Sequence, residues 1–143
     1  SGSFVEGWAC YAQDVMSENG YMGREPLFKL VHLKWVLRMA ANAILDPAIH
    51  IDGMTREQAM EMMVKGAFQQ EREAAGKWVR AQLSSAQLPT YFVGWAEHHE
   101  LRKEMKRRWG ADFAEKKYHD MVISFGSPSG RYVRQLMTGE AIA

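Results

Sequence analysis

The sequence predicts an all-α protein, a bundle of about six to seven helices, and three observations carry that prediction. Apolar residues recur three and four apart through most of the 143 residues, and Gly, Pro and Asn fall chiefly between those periodic segments. No stretch alternates with period two for long enough to make a strand. A chain of this length buries enough surface for one ordinary core, so a single domain is expected, with no internal repeat and no low-complexity linker.

The first helix is expected over Ser3 to Glu18, with Phe4, Trp8, Tyr11 and Val15 as its apolar stripe and Gly7 admitting a second backbone. Asn19-Gly20 suits a left-handed cap, and Gly20 to Arg24 reads as a loop. Pro26 opens a second helix in which Leu30, Leu33, Leu37, Ala41, Ile44 and Ala48 share one face, widened by Val31, Trp35 and Leu45. So broad an apolar surface predicts a central helix, bent or ended by Pro47 just before His50. Thr55 opens the third with a capping box to Gln58, and Ala59, Met62, Met63 and Phe68 supply its buried side.

From Glu71 to Leu88 the pattern weakens, with Ala74, Ala75, Trp78, Val79 and Leu83 as the packed positions and Ser84-Ser85 as a turn. Pro89 starts a strong helix that runs to Trp109 and stops at Gly110. Asp112 is expected to cap a sixth, carrying Phe113, Lys117 and Met121 to a stop at Gly126. Ser127-Pro128 then begins a short last helix through Met137.

Composition excludes several classes. Lys plus Arg number 18 against 17 acids, so a net charge of +1 gives no global attraction to nucleic acid or anionic lipid. The lone Cys10 rules out an internal disulfide and reads as a packed thiol. No apolar run is long enough to span a bilayer and no signal peptide is visible, so the residues are expected to be soluble, in cytoplasm or periplasm. The Ser1-Gly2 start lacks a methionine, as a cloning scar or a cut end would.

Five histidines form no H-E-x-x-H and no i, i+4 pair, so no self-contained zinc site is expected. The basic run from Arg102 to Arg108 is interleaved with Glu104 and reads as a solvated face, and the ten methionines read as core filling.

Two features remain open to function. Glu6 is an acid in the most hydrophobic turn of the first helix; it either completes a Ser3-x-x-Glu6 capping box or is held there by a cation or hydrogen-bond donors. On the helix from Pro89, the residues Tyr91, Gly94, Trp95, His98, Arg102, Met105 and Trp109 share one stripe, which suits either a polar cleft or a core with a polar rim.

Phe4-Val5-Glu6-Gly7-Trp8-Ala9-Cys10-Tyr11-Ala12-Gln13 resembles the F-x-E-G-W-A-x-Y-x-E/Q signature of a bacterial family of uncharacterised zinc-metallopeptidase-like proteins, itself distantly similar to the thimet-oligopeptidase and thermostable-carboxypeptidase families. Asp46 to His50 is similar to that family's D-x-G-x-H, with Ala48 in place of the glycine, and Gly53 to Ala59 is similar to its G-W-S/T-x-E-x-A. Tyr91, Gly94, Leu101 and Arg102, then Phe113, Tyr118-His119-Asp120 and Gly126, continue the likeness in order. An arginine common one turn before the aspartate is Asn42 here.

The resemblance implies the C-terminal helical part of a peptidase whose H-E-x-x-P-G-H lies upstream and is absent here. Glu6 would be the third zinc ligand, Tyr91 and then His50 would stabilise the oxyanion, and Arg102 and His119 would bind substrate carboxylate or support the site. The missing catalytic part and a peptide substrate are the implied partners. The chain alone is expected to be inert and to dimerise through apolar surface left uncovered on its first two helices. The rival expectation is a helical interaction module, or a degenerate family member, in which Glu6 has no chemistry.

Overall fold

A computed structural model describes residues 1–142 and places seven α-helices among them, with no strand among the described residues. They are α1 (Gly2–Glu18), α2 (Pro26–His50), α3 (Arg56–Glu61), α4 (Glu71–Leu83), α5 (Pro89–Trp109), α6 (Glu115–Ser124) and α7 (Gly130–Thr138). Two 3-10 turns, at Tyr21–Arg24 and Gly110–Asp112, and a π-turn at Met62–Gly66 complete the path.

The centre is α5, not α2. Helix α1 runs parallel to α5 and meets it at Gly7 and Gly94, where a Cβ built on either residue would fall on the other helix's backbone. Phe4, Tyr11, Leu101, Met105, Tyr118, Val122 and Val133 form one core from α1, α5, α6 and α7. Leu45, Ala59, Met63, Ala74, Ala81 and Leu88 form a second, among α2, α3, α4 and the start of α5.

The predicted central role of α2 fails because only its second half packs. Leu27, Leu30, Val31, Leu33, Trp35, Leu37 and Ile44 are exposed, while Met39, Ala41, Asn42, Leu45, Asp46 and Ala48 are buried. Pro47 lies inside the last turn, and α2 ends three residues later at His50.

Three capping expectations are corrected. Helix α1 starts at Gly2, one residue before Ser3: Ser1 is its N-cap and no side chain caps it, so Ser3 and Glu6 form no capping box. Helix α6 is preceded by Ala114 rather than Asp112, and α7 by Ser129 rather than Ser127. The Thr55–Gln58 box is present, with Thr55 N donating to Gln58 Oε1 at 2.9 Å. Phe68 is 68 % exposed at φ 52°, and in α4 the buried positions are Ala74, Lys77 and Ala81 in place of Val79 and Leu83.

Candidate functional site

The polar stripe predicted on α5 faces α1. Gly94, His98, Leu101, Arg102 and Met105 are buried, so it is the polar part of a core. His98 donates from Nε2 to the Phe4 carbonyl at 3.1 Å, and its ring is packed edge-on against Phe4 and Trp8. Burial pushes the His98 imidazolium pKa down.

One helical turn along lies a buried carboxylate that the sequence reading did not single out. Asp14, with 12 % of its side chain exposed, accepts hydrogen bonds from His99 Nε2 at 2.6 Å, from Trp95 Nε1 and from His32 Nε2. Burial alone raises the Asp14 pKa, but the donors His99, Trp95 and His32 outweigh it and hold the carboxyl below its ordinary range. Asp14 stands seven residues after Gly7 and so shares the glycine-marked flank of α1, which was the available signal.

Beyond it, Arg102 is buried and bridges two helices. Its Nη1 donates to Glu18 at 2.8 Å and its Nε to Glu115 at 3.1 Å, while Lys106 reaches the same Glu115 at 2.9 Å. His119 pairs with Tyr11, Nε2 to phenol oxygen 2.7 Å, and lies 3.6 Å from Glu115. Burial pushes the His119 pKa down and the Tyr11 phenol pKa up, so the pair is held by a hydrogen bond between a protonated phenol and a neutral imidazole.

Glu6, Tyr91 and His50 sit at the other end of the bundle. Gly2 of α1 approaches Thr90 of α5, and Asp46 of α2 accepts from the Ala86 amide just before α5 at 3.1 Å. Those contacts bring the start of α1, the start of α5 and the end of α2 together. Glu6 is half-buried, and among the described residues its carboxylate has no hydrogen-bond or ion-pair partner. It stands three and seven residues before Ala9 and Gln13, which line a groove of about 500 Å³ between α1 and the first half of α2.

Tyr91 accepts at its phenol oxygen from Gln87 Nε2 at 3.0 Å, leaving its own proton available. His50 is exposed, and its Nε2 lies 2.9 Å from both the Ala81 and the Ser84 carbonyls. Carbonyls only accept, so Nε2 carries the proton and ties the C-terminus of α4 to α2. Cys10 is buried, and burial pushes its thiol up to about 11, as a packed thiol requires.

Among the described residues no three His, Cys, Asp or Glu side chains gather closely enough to hold a metal ion. Glu6 fits one position of a ligand set and not a whole one. No helix of the described residues is long and apolar enough to cross a membrane.

Comparison with known proteins gives a family and two structural relatives. The model of a family described as "Bacterial protein of unknown function (DUF885)" matches residues 1–137. A solved "putative lipoprotein of unknown function" from Shewanella oneidensis is similar at TM-score 0.91 and 47 % identity, over 96 % of this chain and 25 % of that one. A second, a "putative lipoprotein" from Colwellia psychrerythraea, is similar at TM-score 0.86 and 26 % identity, over 97 % of this chain and 24 % of that one. The chain thus spans about a quarter of their length. No curated protein matches it.

These findings overturn the zinc-metallopeptidase family attribution: the matching family is one of unknown function, and neither relative is described as a peptidase. The physical reason is that the motif residues have packing duties. Gly7 and Gly94 make the helix crossing, Phe4 and Tyr11 belong to the core, and Trp8 packs against it.

Proposed function

We propose that this chain, which belongs to the DUF885 family of bacterial proteins of unknown function, forms the helical wall of a metal-dependent hydrolytic site completed by other parts of a longer, envelope-associated polypeptide. What carries the reading is Glu6. It caps nothing, is half-buried, and has no hydrogen-bond or ion-pair partner among the described residues. The span of about a quarter of two solved relatives supplies the missing length from which further ligands come. The envelope setting rests on the description of both relatives as lipoproteins.

In this reading Glu6 contributes one carboxylate ligand, with zinc the expected ion. A bound divalent ion polarises a carbonyl and acidifies its water. Tyr91 supplies a phenol O–H toward the oxyanion of a peptide substrate, since its oxygen already accepts from Gln87. His50 holds α4 in place through Nε2, which leaves Nδ1 as the ring nitrogen available to the site. Arg102 and His119 act as positioning residues that brace α1 against α6.

The test is made in the longer polypeptide. Glu6→Gln is expected to abolish stoichiometric zinc by elemental analysis and to remove hydrolysis of short peptides, leaving the fold unchanged by circular dichroism. Unaltered metal content and activity in that variant would sink the proposal. A second reading, a helical interaction module, draws on the exposed apolar face of α2. It predicts neither metal nor hydrolysis in the unmodified protein.

A further inference from the structure

Between α2 and the start of α4 lies a notch of about 200 Å³ lined by Val31, Lys34, Trp35, Arg38, Gln69 and Glu73. Its floor is polar and unpaired. Gln69 is only 4 % exposed, and neither Oε1 nor Nε2 of its carboxamide has a hydrogen-bond partner. Buried amides are nearly always satisfied, so one that is not calls for an occupant.

The backbone is strained to present it. Phe68 has φ 52°, a conformation that a bulky residue adopts only when held there, and the phenyl is turned out to solvent while Gln69 is turned in. Gln69 N donates to the Met63 carbonyl at 3.0 Å, which fixes the main chain of the turn. On the rim, Arg38 and Glu73 neutralise each other at 2.6 Å, so the notch carries little net field apart from Lys34. Trp35, 46 % exposed, carries the Arg38 guanidinium over its ring at 5.3 Å and shares its helical face with Val31 and Leu27, four and eight residues earlier.

We propose that this notch recognises the main chain of one extended residue, the Gln69 carboxamide giving N–H to that residue's carbonyl and accepting from its N–H, with its apolar side chain lying on Trp35. A carboxamide offers one donor and one acceptor side by side in a plane, the complement of the N–H and C=O that flank one Cα of an extended chain and point the same way. The notch is roomy enough to admit a stretch of main chain. The occupant is the main chain of a segment from the rest of the longer polypeptide, because the solved relatives are about four times as long and the apolar face beside the notch is bare here. No residue of the site is shared with the metal reading, and either stands without the other.

The test uses N-acetyl-leucinamide as the peptide-group probe and sodium acetate as the control, followed by NMR on the 143-residue chain. The Gln69 side-chain NH₂ and the Trp35 indole N–H should shift and saturate with the amide at millimolar concentration and stay fixed with acetate. Gln69→Met should weaken that binding by about tenfold, the worth of one buried hydrogen-bond pair. Trp35→Ala, an exposed change that leaves the fold intact, should weaken it as well. In the longer polypeptide the same two signals should already be displaced and no longer respond to the amide. Absence of any response in the short chain, an equal response to acetate, or Gln69→Met binding unchanged overturns the peptide-group site. A response that persists in the longer polypeptide overturns the intramolecular occupant.

Discussion

His99 donates from Nε2 to Asp14 Oδ2 at 2.6 Å, joining α5 to α1 at a carboxylate that also receives His32 from α2. One largely enclosed acid therefore holds three helices. Asp14→Asn removes the charge that all these donors address, and a loss of about 2–4 kcal/mol is expected in urea denaturation at pH 7.

The same residue sets a pH response. Its folded pKa lies below the usual 3.8, so its stabilisation is complete above about pH 4 and is lost as pH falls through the lower folded value. Denaturation curves between pH 2 and about 6 should therefore steepen in the acid limb for the unmodified chain and flatten for Asp14→Asn. Equal slopes for the two would argue against the assignment.

Gly94→Ala places a methyl on the main chain of Ser3 and Gly7, where no side chain can move aside. Overpacking of backbone against backbone costs about 3 kcal/mol or more, and thermal melting should fall accordingly. Gly76→Ala, with open space at its Cβ, is the control and should be neutral or slightly stabilising.

Lys77 is buried on α4, and burial with Arg38 and Arg80 nearby pushes its pKa down to about 8. The unfolded lysine holds its proton to about pH 10, so between 8 and 10.5 stability rises with pH as the buried ammonium is relieved. Lys77→Met should gain about 2 kcal/mol at pH 7, with the advantage shrinking across that window. A gain independent of pH would mean that packing and not charge is responsible.

Glu6 touches no donor among the described residues, so Glu6→Gln in the 143-residue chain should leave stability within about 0.5 kcal/mol. Calorimetry of that chain with zinc should show no tight stoichiometric site, one carboxylate being short of the usual three protein ligands.

The fold class and most helix boundaries were legible because periodicity and Gly/Pro punctuation are local signals: Pro26, Pro89, Gly110 and the Thr55–Gln58 box act within a turn or two of themselves. The centrality of α2 was not, because an apolar stripe says that a face is to be covered and not what covers it; Leu30 and Leu33 look like core residues and are bare. The candidate residues divide the same way. Gly7, Gly94 and the α5 stripe were visible from spacing, while Asp14 draws its partners from Trp95, His99 and His32, a relation no helical period encodes. Gln69 escaped for a different reason: a strained turn, and not a sequence pattern, points it inward.

The parallel pairing of α1 with α5 has a kinetic corollary. Its joints are made between residues 81 to 94 positions apart, Asp14 with Trp95, Glu18 with Arg102 and Phe4 with His98, while α2, α3 and α4 form the long excursion between them. Chain closure over such a separation must precede any return from the glycine crossing, which gives this helical protein the loop-search burden more often met in β-rich topologies and a correspondingly slow assembly for its class.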